Sequence, residues 1–115
     1  MGDIVSRELA LGHVRADAGP EDTLIDIYLG AAVGAAEQFI NRRVYASAED
    51  MAAAVLDGTA GDDPIVADKL IQAAILLIFG KLYSNREDVV VGASVAQLPD
   101  GAEHMLRPYR VGMGV

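Results

Sequence analysis

The chain has no cysteine and no tryptophan, and only two of its 115 residues are histidines. Without cysteine, the protein has no disulfide bonds, thiolate metal sites or cysteine nucleophiles. His13 and His104 have no second histidine or ligand cluster at helical spacing, so neither is predicted to act as a catalytic base. The acidic stretch DGTAGDD lacks the ligand spacing of a calcium loop. We therefore predict no metal site and no cofactor.

Positive charge is also scarce. Nine lysines and arginines stand against seventeen aspartates and glutamates, which gives a formal net charge of -8. Such a chain repels a phosphate backbone and has no basic patch typical of nucleic-acid binding. No phosphate loop and no nucleophile elbow is present in the sequence. These features predict a protein that is not an enzyme.

Long apolar runs are missing as well. The longest, LIQAAILLIFG over residues 70–80, is well short of the roughly 20 residues that cross a bilayer. The N-terminal MGDIVSREL has no basic region followed by an apolar stretch, so no signal peptide and no membrane partner is expected. The length favours one domain, residues 1–115.

Apolar residues at helical spacing predict an all-α fold, a small bundle of two long and two or three short helices. Capping residues and prolines place the helix ends. The predicted helices are a short one after Ser6 that stops near Gly12 to Val14, a long one from about Pro20 to Arg43, a short one capped by Ser47, a long one from Pro64 to about Asn85, and a short one from Pro99 to Leu106.

The second long helix is apolar on its back face as well as on its main stripe. Ile75, Leu76, Phe79 and Tyr83 lie on that back face, and leaving the first three in water would forgo about 5 to 8 kcal/mol. Either the chain's own short helices or another subunit must cover them. We predict that a neighbouring copy shares this cover, which places these residues at an oligomer interface.

Two glycines interrupt the first long helix on its polar side. Gly30 and Gly34 each cost up to about 1 kcal/mol relative to alanine. One interpretation is a small-residue groove that lets another subunit approach closely. The other is drift at an exposed surface.

Three adjacent valines follow a charged stretch. Val89, Val90 and Val91, with the glycine after them, disfavour a helix and favour an extended arm before the last helix.

The combination of motifs over the second half of the chain resembles one family. It comprises Leu82-Tyr83-Ser84-Asn85-Arg86-Glu87, Val89 to Val95, Leu98-Pro99, and Leu106-Arg107-Pro108-Tyr109-Arg110. This pattern is similar to the head-tail connector proteins of long-tailed bacteriophages, often called head-completion or putative DNA-packaging proteins. The likeness extends to the first half, whereas the segment 46–61 has no clear counterpart.

The resemblance implies a structural adaptor. Such a subunit forms a homo-oligomeric ring under the portal protein, extends the DNA channel, and offers the tail or neck proteins a docking surface. DNA passes through the ring without sequence-specific binding, and an acidic lumen would keep it from sticking. The protein would be made in the host cytoplasm and reside in the virion, at the head-tail junction.

The resemblance also implies roles for individual residues. The valine arm, Val89 to Val91, would lie against a neighbour or the portal, while the alternative has it folding back on its own subunit. Asn85, Arg86 and Glu87 would cap the long helix and orient the arm. The partner-docking residues would be Arg107, Tyr109 and Arg110.

A different class fits the same charge and helices. A small acidic interaction module, such as a DNA mimic or an antitoxin-like dimer, would stop at two copies. It would not require the valine arm.

Overall fold

The computed structural model describes residues 4–14, 22–61, 63–84 and 98–111. Within these ranges the chain forms five α-helices, one 3₁₀ turn at Arg107–Tyr109 and two short strands that pair in parallel. The helices and strands are α1 (Arg7–Val14), α2 (Asp22–Ile40), β1 (Val44–Tyr45), α3 (Ala48–Asp57), β2 (Ile65–Val66), α4 (Lys69–Ser84) and α5 (Asp100–Leu106). The predicted all-α class is confirmed.

Two helices begin at the serine caps that the sequence predicts. The Ser6 hydroxyl oxygen accepts a hydrogen bond from the Leu9 amide at 3.1 Å, and that of Ser47 accepts one from the Asp50 amide at 3.1 Å. Each bond satisfies an amide of the first turn that has no partner within the helix. At its other end, α3 stops at Gly58, whose φ of 75° favours glycine.

The first long helix ends earlier than predicted. It stops at Ile40 because Asn41 adopts a left-handed φ of 58°, which asparagine tolerates better than most residues. Arg42 and Arg43 therefore leave the helix instead of completing its last turn. The side chain of Glu37 accepts a hydrogen bond from the Val44 amide at 2.9 Å, which holds the chain in place where it leaves α2.

The second long helix begins later than predicted. Ile65 and Val66 form β2. The Ile65 amide donates to the Arg43 carbonyl at 2.9 Å, and the Ala67 amide donates to the Tyr45 carbonyl at 2.8 Å. β-Branched residues suit such an extended pairing. The helix cap is Asp68, which accepts from the Ile71 amide at 2.9 Å. The predicted start at Pro64 was therefore wrong.

The core lies between α2 and α4, with α1 and α5 packed against α4. It contains apolar residues from all four of these helices. The buried side chains include Ala10, Leu11, Ile25, Ala32, Ala36, Ile40, Ile71, Ala74, Ile78, Leu82, Ala102 and Leu106. Two glycines permit the short helices to approach α4 closely: a Cβ at Gly80 would lie 3.1 Å from His13 Nε2, and one at Gly101 would lie 3.3 Å from Leu77 Cδ1.

This packing corrects the prediction for the back face of α4. Ile75 and Phe79 are 0% exposed within a single chain. Helices α1, α2 and α5 of the same chain pack against α4 and cover these two side chains without another subunit. Ile75 and Phe79 therefore present no surface to a neighbouring copy, and we remove them from the predicted interface.

Candidate functional site

The C-terminal strap, which we define as residues 107–111, is fastened across the end of α2 and the start of α4. The Tyr109 hydroxyl donates to the Asp68 carboxylate, and Arg42 Nη1 donates to the Tyr109 carbonyl at 3.3 Å. The Val111 amide donates to the Ile40 carbonyl at 3.0 Å, and Asn41 Nδ2 donates to the Val111 carbonyl at 3.3 Å. These bonds join three distant parts of the sequence at one corner.

That corner also collects positive charge. The guanidinium of Arg110 lies 4.7 Å from the ring centroid of Phe39, in a cation–π contact. Arg42 Nε donates to the Asp63 carbonyl at 2.8 Å. We call Arg42, Arg43, Arg107 and Arg110 the basic corner. It contains four of the nine cationic residues of an acidic chain.

Hydrogen bonding at the strap shifts two pKa values. Burial by itself would raise the pKa of Asp68, but the hydrogen bonds from Tyr109 and from the Ile71 and Leu70 amides outweigh it and hold this pKa below its usual value. The same bond from Tyr109 to Asp68 raises the pKa of the Tyr109 hydroxyl. The contact is thus formed by an ionised carboxylate and a neutral phenol.

A second feature is an open groove between α1 and α2. It has a volume of about 1000 Å³, and Gly30, Gly34, Asp26 and Arg7 lie on its walls. Arg7 binds Asp26 with two hydrogen bonds, 2.8 Å from Nε to Oδ1 and 2.5 Å from Nη2 to Oδ2. This hydrogen bonding lowers the pKa of Asp26. The groove is therefore bordered by an ionised carboxylate whose charge is paired with Arg7.

Gly30 and Gly34 lie within α2, the first long helix. Both are exposed, and no atom lies within 4 Å of the position that a Cβ would take at Gly30 or Gly34. The chain's own packing thus does not require glycine at either position. Close approach by another subunit at these glycines stays a prediction.

Much of α2 is left uncovered. Its segment Thr23–Ile40 is long and apolar enough, by length and composition, to span a membrane, yet only 22% of it is buried. Core helices of water-soluble proteins can be equally long and apolar, but most of their residues are buried. Ile27 on α2 is 60% exposed and Leu56 on α3 is 88% exposed. Among the described residues, the two most exposed large apolar side chains therefore lie on α3 and α2, while Leu9 on α1 and Leu70 on α4 are about half exposed.

No catalytic or metal-binding arrangement accompanies these surfaces in the part of the chain that the structure describes. There, no three histidine, aspartate or glutamate side chains come together as a metal site. Every buried side-chain nitrogen or oxygen in these ranges has a hydrogen-bond partner. The candidate functional features are surfaces.

Comparison with known proteins identifies the class. A model of the family of phage gp6-like head-tail connector proteins matches residues 13–110. The chain belongs to this family. No curated protein and no solved structure matches it. The resemblance noted in the sequence is confirmed: this is a structural connector protein of the phage head-tail junction, where it interacts with other head and tail proteins.

Two residues of the connector's predicted oligomer interface are half-buried on α4. They are Leu76 and Tyr83, and the Tyr83 ring stacks on that of Phe79 with centroids 6.1 Å apart. Their partly open surfaces remain compatible with a contact to another copy. Val89, Val90 and Val91, and the arm-orienting Asn85, Arg86 and Glu87, lie outside the described residues.

The connector's predicted docking residues come together on the C-terminal strap. Tyr109 and Arg110 also hold the strap on its own chain, through Asp68 and Phe39. Among the described residues, Arg107 forms an ion pair with Glu103 on the preceding turn, at 3.5 Å. Docking through these three residues stays a prediction, and Arg107 is the one least committed to the connector's own fold.

Sequence reasoning missed the residues that build this corner. Asp68 could have been found as a helix cap, because an aspartate three residues before the buried Ile71 is a recognisable start signal. Asn41 gives a weaker signal, since asparagine also occurs within helices. The exposed Val55 and Leu56 of the connector were visible in the sequence, but their orientation was not.

Proposed function

We propose that this connector protein assembles with copies of itself into a ring that docks under the portal and extends the DNA channel toward the tail. The observation that carries the proposal is the family match over residues 13–110. Exposed apolar side chains on two different helices support self-assembly, because large uncovered apolar patches are typical of interaction surfaces.

A ring needs two different contact patches on each subunit, since each copy contacts one neighbour with one patch and the other neighbour with the second. The partly open α4 residues Leu76 and Tyr83, the glycines Gly30 and Gly34, and the arm Val89 to Val91 are the predicted contributors. Asn85, Arg86 and Glu87 would orient the arm, as the family resemblance implies.

Docking to the portal or to tail and neck proteins is assigned to Arg107, Tyr109 and Arg110. Positive side chains on an acidic subunit favour acidic surfaces on partners and steer association with them. The net charge of -8 disfavours tight contact with DNA in the channel. Mapping the four arginines of the basic corner in an assembled particle tests this division: arginines lining the bore would favour a DNA-contact role instead.

Native mass spectrometry over a concentration series, with and without the portal protein, tests the ring. We expect a closed multimer of many copies, at the latest when the portal is present. A persistent dimer under both conditions would contradict the ring and favour the small interaction module. Absence of any complex with the portal would contradict the connector role of this chain.

A further inference from the structure

Helix α3 carries two large aliphatic side chains on its outer side. None of its residues is buried; Leu56 is 88% exposed and Val55 is 55% exposed. The side that faces the body of the protein carries Asp50, Met51 and Ala54, which are half-buried. An amphipathic helix on a globular protein ordinarily directs its apolar stripe to the core. Met51 and Ala54 follow this rule, but Val55 and Leu56 present an apolar surface that the described residues of the chain leave uncovered.

Helix α2 has a second uncovered face, which we call the α2 outer face. It is formed by residues at helical spacing with no charged side chain among them: Leu24, Ile27, Ala31, Gly34 and Gln38. Ile27 is 60% exposed and Leu24 is 37% exposed. The bordering carboxylates are occupied, because Asp26 binds Arg7 and Glu37 accepts from the Val44 amide. Burying this face against another surface would therefore leave neither of these carboxylates without a partner.

The two surfaces are complementary in charge. From Val44 to Asp68 the sequence has no lysine or arginine and six acidic residues, namely Glu49, Asp50, Asp57, Asp62, Asp63 and Asp68. The α2 outer face, in contrast, runs toward Arg42 and Arg43, and Arg43 is exposed. An acidic helix with an apolar side thus matches an uncharged apolar face with a basic end.

We propose that α3 of one copy packs through Val55 and Leu56 on the α2 outer face of the next copy, around Ile27 and Ala31. The helices run antiparallel, so that Glu49 points toward Arg43 of that copy. Leu56 and Glu49 are about 10 Å apart along α3, and Ala31 is about 14 Å from the end of α2 at Ile40. The long side chains of Glu49 and Arg43 span the difference between these two distances.

A second copy fits these surfaces better than a membrane does. The carboxylates around α3 repel an anionic lipid surface, and that repulsion would oppose insertion of Leu56. Because the two patches are different and lie on one chain, the contact repeats from copy to copy, as a ring requires. This assignment of faces rests on the proposed ring and names the surfaces that would form it.

Thiol crosslinking tests the assignment directly, because the chain has no cysteine. Ile27→Cys and Leu56→Cys are prepared separately and together, and treated with a short bismaleimide. We expect neither single variant to crosslink with itself, their mixture to give a dimer, and the double variant to give a ladder of multimers. The matched control is a mixture of Leu56→Cys with Leu70→Cys, which places a thiol at a similarly exposed leucine (48%) on α4.

Several results would overturn the proposal. Efficient crosslinking of Leu56→Cys alone would show a symmetric contact between two α3 helices. A yield from the Ile27/Leu56 mixture no higher than that of the control would show that these faces do not meet. Loss of liposome binding in an Ile27→Asp variant, with the wild type binding, would make a membrane the occupant of α2.

A charge exchange separates electrostatic pairing from general stickiness. Glu49→Lys should lower the yield of the Ile27/Leu56 crosslink, and Arg43→Glu on the copy that carries Ile27→Cys should restore it. No restoration would contradict the antiparallel alignment. Native mass spectrometry of the wild type distinguishes the two proposals. A ring that forms without the Ile27/Leu56 crosslink would contradict only the assignment of faces. Absence of both the ring and the crosslink would contradict the assignment and the proposed ring together.

Discussion

The Tyr109 hydroxyl donates a hydrogen bond to the Asp68 carboxylate, and through this contact the C-terminal strap is tied to the start of α4. The two residues are 41 positions apart in the sequence. The other oxygen of the same carboxylate accepts from the Ile71 amide and caps α4. One aspartate therefore begins a core helix and anchors the segment that carries the predicted docking residues.

Replacing Tyr109 by phenylalanine should release this anchor. We expect Tyr109→Phe to lower the free energy of unfolding by about 1 kcal/mol, the usual net contribution of one hydrogen bond. Denaturant unfolding measures the effect. Tyr28→Phe is the matched control, because Tyr28 is half-buried and no hydrogen bond of its hydroxyl is found among the described residues. Equal effects of the two changes would contradict an anchoring role.

Stability should be greatest over a window bounded by the carboxylates and the phenol. The pKa values of Asp26 and Asp68 are lowered in the folded protein, so their stabilisation is present above the unfolded pKa of about 4 and disappears as pH falls through the folded values. The raised pKa of Tyr109 stabilises the fold below the unfolded pKa of about 10, and this contribution disappears as pH rises through the folded value. Thermal unfolding across pH measures both limits.

Variants assign the two limits to residues. Asp68→Asn should make the loss of stability in acid shallower, and Tyr109→Phe should make the loss in alkali shallower, because each removes one titrating group. Since the bond between Asp68 and Tyr109 shifts both pKa values, each variant should also reduce the other limit in part. Glu49→Gln serves as the control at an exposed carboxylate of α3. If neither limit changes in the Asp68 and Tyr109 variants, other groups determine the pH dependence.

Truncation of Phe79 should unfold a single subunit, not merely weaken assembly. Phe79→Ala removes a fully buried ring, and we expect the free energy of unfolding to fall by about 3 to 5 kcal/mol. Leu70→Ala on the same helix, where the side chain is 48% exposed, should cost less than about 1 kcal/mol. Both are measured by denaturant unfolding of dilute protein. A Phe79 variant that keeps full stability as a monomer would restore this residue to the interface.

Arg107 should matter for partners and little for the fold. Its exposed pair with Glu103 contributes about 0 to 1 kcal/mol, so Arg107→Ala should leave the unfolding curve nearly unchanged while weakening binding to the portal or a tail protein. Arg7→Ala is a control of equal charge change on α1. Equal loss of binding in both variants would indicate a general charge effect instead of a docking site.

Deleting Val89 to Val91 separates an arm from a core element. We expect an intact helical fold by circular dichroism and a loss of assembly by native mass spectrometry, because an arm contributes its apolar surface to a neighbour. Global unfolding would show instead that the valines belong to the subunit's own core.

The sequence was most informative where a signal is local. Ser6 and Ser47 cap helices as predicted, because a cap depends on neighbouring amides only. The ends at Ile40 and Lys69 were misplaced, because β1 and β2 compete with the helices for the residues between them. That pairing joins segments about twenty residues apart, and no periodicity within either segment reveals it.

The location of the candidate surfaces depended on tertiary packing more than the location of the helix caps did. Ile75 and Phe79 form an apolar back face whose existence is clear from spacing alone, but whether a short helix or another subunit covers it is decided by the fold. The same holds for Leu56, which spacing marks as apolar and only the orientation of α3 shows to be exposed. The family, in contrast, was recognisable from motifs because these are stretches of adjacent residues.

By itself, the amino-acid sequence determined the helical class, two of the helix caps, the acidic charge and the connector family, since each depends on composition or on residues close in the chain. Only the tertiary structure decided that the chain's own helices bury Ile75 and Phe79 of α4, that Asp68 and Tyr109 meet, and that Ile27 of α2 and Leu56 of α3 are left exposed. The reason is physical: burial is a property of the whole packed chain, and one helix can hide a face only when another occupies the space beside it.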